Sequence, residues 1–270
     1  MLMPKDEKWL ESISQIVREA GRLILNLQTK AYAVLEKGAA NYVTAIDLAV
    51  QSYILAELKQ RTPDFAVMAE ESDVNQTSFA KPTWILDPVD GTTNLMRDYR
   101  HSAISLALAE EGRVTLGIVF NPYSGELFLA TEQGGSFLNG ERIQTSSVNR
   151  LADSLVGFGT TPYDRTLAHT TFQLVEQVFL RTLEVRRSGS AALDLAYIAC
   201  GRLDGFFEMT LQPWDYAAGS LLIREAGGII TNWQGQDPSL RRSDSVLAAS
   251  RAVHADLLGL IQTRDDKERT

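Results

Sequence analysis

The sequence predicts an α/β protein built as a layered sandwich in two lobes. Three observations carry this. Two helical patterns open the chain, short β-rich runs with tight-turn signals fill residues 102–143, and strand-like and helix-like segments then alternate to the end. With 270 residues, 44% of them hydrophobic, the chain can bury a core large enough for that architecture.

The elements follow in order. Across 6–28, Trp9, Ile13, Ile16, Val17, Ala20, Leu23, Ile24 and Leu27 share one helical face. A second helix spans "TAIDLAVQSYILAELKQRT" and ends before Pro63. "FAVMAEES" and "PTWILDP" are short apolar runs with a polar carboxyl end, which predicts strands. "SAISLALA", "RVTLGIVF", "ELFLAT" and "GSFLNGERI" predict an antiparallel meander, with Asn139-Gly140 as a hairpin signal. The second half predicts a strand at "SLVGFGT", a helix at "LAHTTFQLVEQVFLRT" and a strand at "LEVRR". The helix "SAALDLAYIAC" stops at Gly201, and "DGFFEM" reads as a strand. "DYAAGSLLIREAGG" is a helix with a Gly-Gly stop, followed by strands at "IITNW" and "SVLAAS" and a last helix near 254–262. A join near 145–153 divides the chain into lobes 1–150 and 151–270 without a flexible linker, so the lobes are expected to pack tightly.

The formal net charge of −8 argues against a nucleic-acid partner, which requires a basic footprint. It does not forbid anionic substrates, because a bound cation inverts the local field. The single cysteine, Cys200, allows no intrachain disulfide and reads as a small core residue. No stretch reaches the roughly 18 apolar residues of a membrane span, and the opening residues lack the apolar segment of a secretory signal. A cytoplasmic protein with no membrane partner is expected.

The chemistry concentrates in "WILDPVDGTTNLM". Pro88 keeps Asp87 extended at the edge of its strand, starts a turn and lets Asp90 fold back beside Asp87. The turned backbone frees the Val89 carbonyl, and Gly91 permits close approach to the main chain. The N–H groups of Gly91, Thr92 and Thr93 open a short helix that could hold an anion. Two carboxylates, a carbonyl and an anion nest form half a shell for Mg²⁺ and phosphate. The bland alternative is a type I turn with solvated aspartates. For Glu70 and Glu71 the bland reading is a surface turn, and burying the pair would need a cation because adjacent acids repel. Asp215 taken alone reads first as a helix N-cap, and Asp47 stands at capping-box spacing from Thr44. His101, His169 and His254 show no metal-ligand spacing, so zinc is not expected and oxygen ligands point to Mg²⁺ or Mn²⁺. Neither a P-loop nor a dinucleotide fingerprint occurs.

"EES" at 70–72, "DPVDGTTN" at 87–94 and "WDYAAGSLLIREAGG" at 214–228 resemble the signatures of the inositol monophosphatase family. The resemblance extends to "YVTAIDLAVQ", "GGSFLNGERI" and "RSGSAALDLAYIACGRLDGFFEM". It implies a five-layered αβαβα sandwich, shared with fructose-1,6-bisphosphatase, usually dimeric, so a homodimer is expected. It implies a Mg²⁺-dependent, lithium-sensitive phosphatase with two or three metal ions. By the same resemblance, Glu70 and Asp87 bridge metals, the Val89 carbonyl binds one, and Asp90 and Asp215 hold the second. Thr92, hydrogen-bonded to Asp47, orients the attacking water, and the Gly91 and Thr92 backbone binds phosphate. Gly189, Ser190, Ala191 and Glu208 match positions that touch the substrate ring. The chain departs from the family pattern at Asn41, Arg97 and "DYRHSAIS", and Lys37 resembles a family lysine near the metals.

The expected function is hydrolysis of inositol 1-phosphate or a related polyol or sugar phosphate by direct attack of an activated water. Glu208 favours a polyol, since it accepts hydrogen bonds from hydroxyls and repels a second phosphate. The alternatives are 3′(2′),5′-bisphosphate nucleotides, fructose 1,6-bisphosphate, NADP and histidinol phosphate. A haloacid-dehalogenase-type nucleophile would need D-x-D-x-T, whereas two residues including Pro88 separate Asp87 from Asp90. From another class, the chain could be a non-catalytic metal- or phosphate-binding regulator.

Overall fold

The computed structural model describes residues 6–29, 34–38, 41–72 and 78–268, and for 34–38, 41–43 and 264–268 the backbone alone. The side chains of Lys37 and Asn41 lie outside that description.

Helix α1 (Glu7–Gln28) starts where the Asp6 carboxylate accepts the Trp9 N–H at 2.8 Å. It is followed by β1 (Val34–Gly38) and β2 (Asn41–Thr44), a small antiparallel pair that the sequence pattern did not reveal. Next come α2 (Ala45–Arg61), β3 (Ala66–Ala69), β4 (Thr83–Asp90) and the one-turn helix α3 (Thr92–Met96). The meander comprises β5 (Ala103–Glu110), β6 (Arg113–Asn121), β7 (Glu126–Thr131), β8 (Gly135–Leu138) and β9 (Glu141–Arg142). After it stand β10 (Leu155–Phe158), α4 (Ala168–Phe179), β11 (Glu184–Arg186), α5 (Ala191–Ala199) and β12 (Gly205–Leu211). The chain closes with α6 (Pro213–Glu225), β13 (Ile229–Thr231), β14 (Asp244–Ala249) and α7 (Arg251–Glu268), a helix longer than 254–262.

A seven-stranded sheet runs in the order β3-β4-β5-β6-β7-β8-β9, antiparallel except for the parallel β3–β4 pair. A five-stranded sheet runs β11-β10-β12-β14-β13, with β10 parallel to both neighbours. The layers are α1/α2, the large sheet, α5/α6, the small sheet and α4/α7, which is the five-layered αβαβα sandwich. Ile13, Val17, Ile46 and Val50 join Leu106 and Ile118 in the core between the first helices and the large sheet. Leu193, Ala196, Ala217 and Leu222 join Ala107, Val119, Phe206 and Ala248 in the core between the sheets. Val156, Leu174, Leu247 and Val253 fill the outer core. Because helices cover both faces of the large sheet, β5 is buried at every position, which explains its uninterrupted apolar sequence. A Cβ on Gly117 would come within 2.6 Å of the Ala218 carbonyl, so β6 and α6 approach more closely than a side chain would allow. Cys200 is only half-buried, at the edge of the central core. Among the described residues no helix is long and apolar enough to cross a membrane.

The turn expected at Pro88 is a β-bulge. Asp87 pairs with Ser105 and Asp90 with Ala103, so β4 spends one more residue than β5 over the same interval. Pro88 has no N–H to give to the ladder, and the Val89 N–H instead closes on the Asp87 carboxylate at 2.9 Å. The strand therefore runs on through Asp90 while its side chains are re-aimed.

Candidate active site

The carboxyl ends of β3, β4, β10 and β12 meet the amino ends of α3, α5 and α6 around one cleft of about 430 Å³. Glu70, Asp87, Val89, Asp90, Gly91, Thr92, Gly189, Ser190, Ala191, Glu208 and Asp215 all line it. Asp47 does not: it is buried one shell behind, and its Oδ1 accepts the Thr92 hydroxyl at 3.0 Å.

Each side chain is set by local structure. Glu70 follows β3, its N–H bonded to the Leu86 carbonyl at 3.1 Å, so it stands beside the end of β4. Glu71 is not among the residues lining the cleft, and its N–H donates to the Gln51 side-chain oxygen at 3.1 Å. Asp87, 2% exposed, and Asp90 are brought together by the bulge. The Asp90 Oδ2 accepts from the Ser190 hydroxyl at 2.5 Å and the Ala192 N–H at 2.7 Å, so the amino end of α5 faces this carboxylate. Asp215 is not the N-cap of α6. Gln212 holds that position with Pro213 after it, and Asp215 is the third helical residue, reaching back to the Gln212 N–H at 2.7 Å. Gly91 has φ +92°, and a Cβ there would come within 3.1 Å of the Gly189 and His101 carbonyls, so this link between strand and α3 needs glycine. The Thr92 hydroxyl lies 3.2 Å from the Val89 carbonyl as well as near Asp47, so that carbonyl already has a polar neighbour.

The electrostatics are those of crowded acids. Asp87 is raised well above the ordinary carboxylate range by burial and by Glu70, Asp90 and Asp215, and it shares a hydrogen bond with Glu70. Asp215 is likewise raised by burial, Asp90 and Glu70. Asp90 is raised by burial only to about 6, because Ser190, the α5 N–H groups and Arg187 stabilise its charge. Glu208, pushed up to about 7 by burial, gives an oxygen to the Thr161 N–H at 2.8 Å. Asp47 is raised by burial, against the hydrogen bonds from Thr44 and Thr92. Among the described residues no three His, Cys, Asp or Glu side chains already encircle a point as ion ligands. The acids converge on one cleft without forming a finished shell.

Sequence reasoning missed several residues here. Asp194 is 2% exposed, held by the Ser188 hydroxyl at 2.7 Å and raised by burial to about 8. Arg187 lowers the proton affinity of Asp90, Asp194 and Glu208, and Arg165 and Tyr163 line the same cleft. Gly159 carried the available signal. A Cβ there would fall 1.8 Å from the Glu208 carboxylate, so a glycine after a strand marks where that side chain lies.

The family model for the inositol monophosphatase family matches residues 5–266. The inositol-1-monophosphatase of Synechocystis sp. is 40% identical over 258 residues, covering 94% of this chain and 89% of its own. Nus factor SuhB of Escherichia coli is 38% identical over 245 residues, 90% of this chain and 92% of its own. The crystal structure of the extragenic suppressor protein suhB from Bartonella henselae superposes with a TM-score of 0.89 at 33% identity, over 94% of this chain and 98% of that one.

Proposed function

Because the chain belongs to the inositol monophosphatase family, we propose that it is a Mg²⁺-dependent phosphomonoesterase of inositol 1-phosphate or a related polyol or sugar phosphate. The observation that carries this reading is the convergence of Glu70, Asp87, Asp90 and Asp215 on one cleft, with burial and mutual repulsion raising Asp87 and Asp215 strongly. Such a cluster is costly as anions and costly as acids, and a divalent cation relieves both. The donors are all oxygens, which fits Mg²⁺, or Mn²⁺, rather than zinc.

In this reading Glu70, Asp87, the Val89 carbonyl, Asp90 and Asp215 would together hold the two or three ions. When bound, the ions neutralise phosphate charge and make water more acidic. The protein's own groups do the rest. The Gly91 and Thr92 N–H groups bind a phosphate oxygen. Asp47 holds the Thr92 proton, so a lone pair of that hydroxyl faces the cleft and orients the attacking water. Glu70 would take the proton the water gives up as the ester P–O bond breaks, and the leaving alkoxide would take a proton from solvent. Gly189, Ser190 and Ala191 pack against the substrate, and Glu208 accepts from its hydroxyls. The first 150 residues thus contribute most of the metal-facing acids, and residues 151–270 contribute Asp215 and the substrate wall.

A second reading, a binding or regulatory protein on the same scaffold, draws on the Escherichia coli relative being named a Nus factor. A phosphate-release screen with Mg²⁺ decides between them, using inositol 1-phosphate, fructose 1,6-bisphosphate, a 3′,5′-bisphosphate nucleotide, NADP and histidinol phosphate. Turnover supports the enzyme, and its absence on every substrate supports the regulator.

A further inference from the structure

Asn94 closes the motif "DPVDGTTN", yet the chemistry of the cleft does not use it. It lies in α3, outside the lining of the cleft. Its amide nitrogen carries two hydrogens, and two carbonyls take them. One is the His101 carbonyl at 2.7 Å, just before β5, and the other is the Ser188 carbonyl at 3.0 Å, between β11 and α5. The second bond joins residues 94 positions apart and crosses from residues 1–150 to residues 151–270. It ties α3 to the segment that carries Gly189, Ser190 and Ala191. The Ser188 carbonyl and the Gly189 N–H share one planar peptide, so holding the carbonyl sets the direction of that N–H. Gly189 has φ +92°, and a Cβ there would fall 2.9 Å from the Asn94 amide nitrogen, so the clasp itself requires glycine. On the other flank the Asp90 carboxylate holds Ser190 and the Ala192 N–H, and in the reading above it also serves a cation. Asn94 is neutral and binds carbonyls, so its hold depends on neither pH nor metal.

We propose that Asn94 is a positioning residue that sets the span between the phosphate-binding turn, Gly91 and Thr92, and the substrate wall at 189–191. That span decides how closely the alcohol part of the ester is held while its phosphate sits on the turn. This rests on the phosphomonoesterase reading above and adds to it the group that aligns its two binding surfaces. The two surfaces already touch: a Cβ on Gly91 would meet the Gly189 and His101 carbonyls at 3.1 Å, and the Ser102 hydroxyl donates to the Gly91 carbonyl at 2.9 Å. Asn94 holds His101 and Ser188, the residues on either side of that contact, with one amide. Without it, the wall keeps its tie to Asp90 but loses its register against the turn, so a bound ester meets a wall that has moved.

The test uses Asn94→Ala and Asn94→Ser. It measures kcat and KM for inositol 1-phosphate and the competitive Ki of inorganic phosphate at saturating Mg²⁺, with thermal melts alongside. Inorganic phosphate occupies the turn and has no alcohol part to meet the wall. Asn94→Ala should raise KM about tenfold, as the loss of two hydrogen bonds implies. It should leave kcat within about threefold, since Asp47 and Thr92 are untouched, and the Ki of phosphate within about twofold. Asn94→Ser keeps one donor hydrogen and should raise KM only about threefold. It also carries the comparison if the alanine variant does not fold. A KM and a Ki that rise together, or a lower Tm with both constants unchanged, overturns the positioning role while leaving the phosphatase reading standing. If wild type turns over no ester, that reading falls. The clasp is then judged by calorimetric affinities for inositol 1-phosphate and inorganic phosphate. A loss confined to the ester in Asn94→Ala supports it, and equal loss, no change or no binding of either overturns it.

Discussion

Replacing Asp47 by asparagine separates two duties that the structure assigns to one carboxylate. One oxygen accepts the Thr44 N–H at 3.0 Å together with the Thr44 hydroxyl, completing the capping box of α2. The other accepts the Thr92 hydroxyl at 3.0 Å. An asparagine fills the same space. Its carbonyl must serve the Thr44 N–H, which turns its NH₂ towards Thr92 and reverses that hydrogen bond. The Thr92 proton then goes to the Val89 carbonyl, 3.2 Å away. Stability should fall by about 1 kcal/mol or less, since the cap survives and burial already disfavours the charge on Asp47. Turnover should fall about 10²-fold, near 2.7 kcal/mol at 1.36 kcal/mol per decade, because the hydroxyl no longer presents the same lone pair to the water. KM should move little. Thr92→Ala should lose a similar factor, and the double variant should be little worse than either single. The assay is steady-state phosphate release at saturating Mg²⁺, with thermal melts alongside. A melting shift with unchanged kcat, or fully additive losses, would refute the reasoning and leave Asp47 a helix cap.

Asp90→Asn and Asp215→Asn should each reduce kcat by about 10²-fold or more while the protein stays folded, because each removes a charge that its neighbours repel. Near-normal kinetics in either would return that residue to its local hydrogen bonds. The chelated protein should lose stability as pH rises. Asp194 and Glu208 sit at about 8 and about 7 when folded, above their unfolded values, so the folded state binds more protons across roughly pH 4 to 8. The slope is at most about 1.4 kcal/mol per pH unit for each group. Asp194→Asn, which keeps an acceptor for Ser188, should flatten it, as read by urea midpoints in EDTA at pH 5 and pH 8. An unaltered slope would mean that Asp194 is not the group responsible.

Local pattern carried much of this structure into the sequence. The spacing of Ile13, Val17, Ala20 and Ile24 declares the buried face of α1, and Asn139-Gly140 declares the β8–β9 turn. Thr44 and Asp47 stand three apart because a capping box requires it, so their bonding was legible. The bulge at Pro88 was not. A turn and a bulge use the same residues, and only the partner strand, with Ser105 opposite Asp87 and Ala103 opposite Asp90, tells them apart. Asp194 and Arg187 were illegible for a related reason. Their surroundings arise when the amino end of α5 meets Asp90, about a hundred residues earlier in the chain. No local pattern encodes that apposition. The β1–β2 pair was missed because four- and five-residue strands at the edge of a two-stranded unit leave little alternation to read.

The central claim is that the carboxylate-lined cleft is a Mg²⁺-dependent phosphatase centre. It is tested most directly by phosphate release from inositol 1-phosphate after exhaustive chelation and stepwise return of Mg²⁺, with melting followed in the same titration. The account predicts no turnover without metal, recovery as Mg²⁺ is restored, and a rise in Tm that Asp90→Asn and Asp215→Asn diminish. Turnover that survives chelation, or a protein whose activity and melting both ignore Mg²⁺, would contradict it.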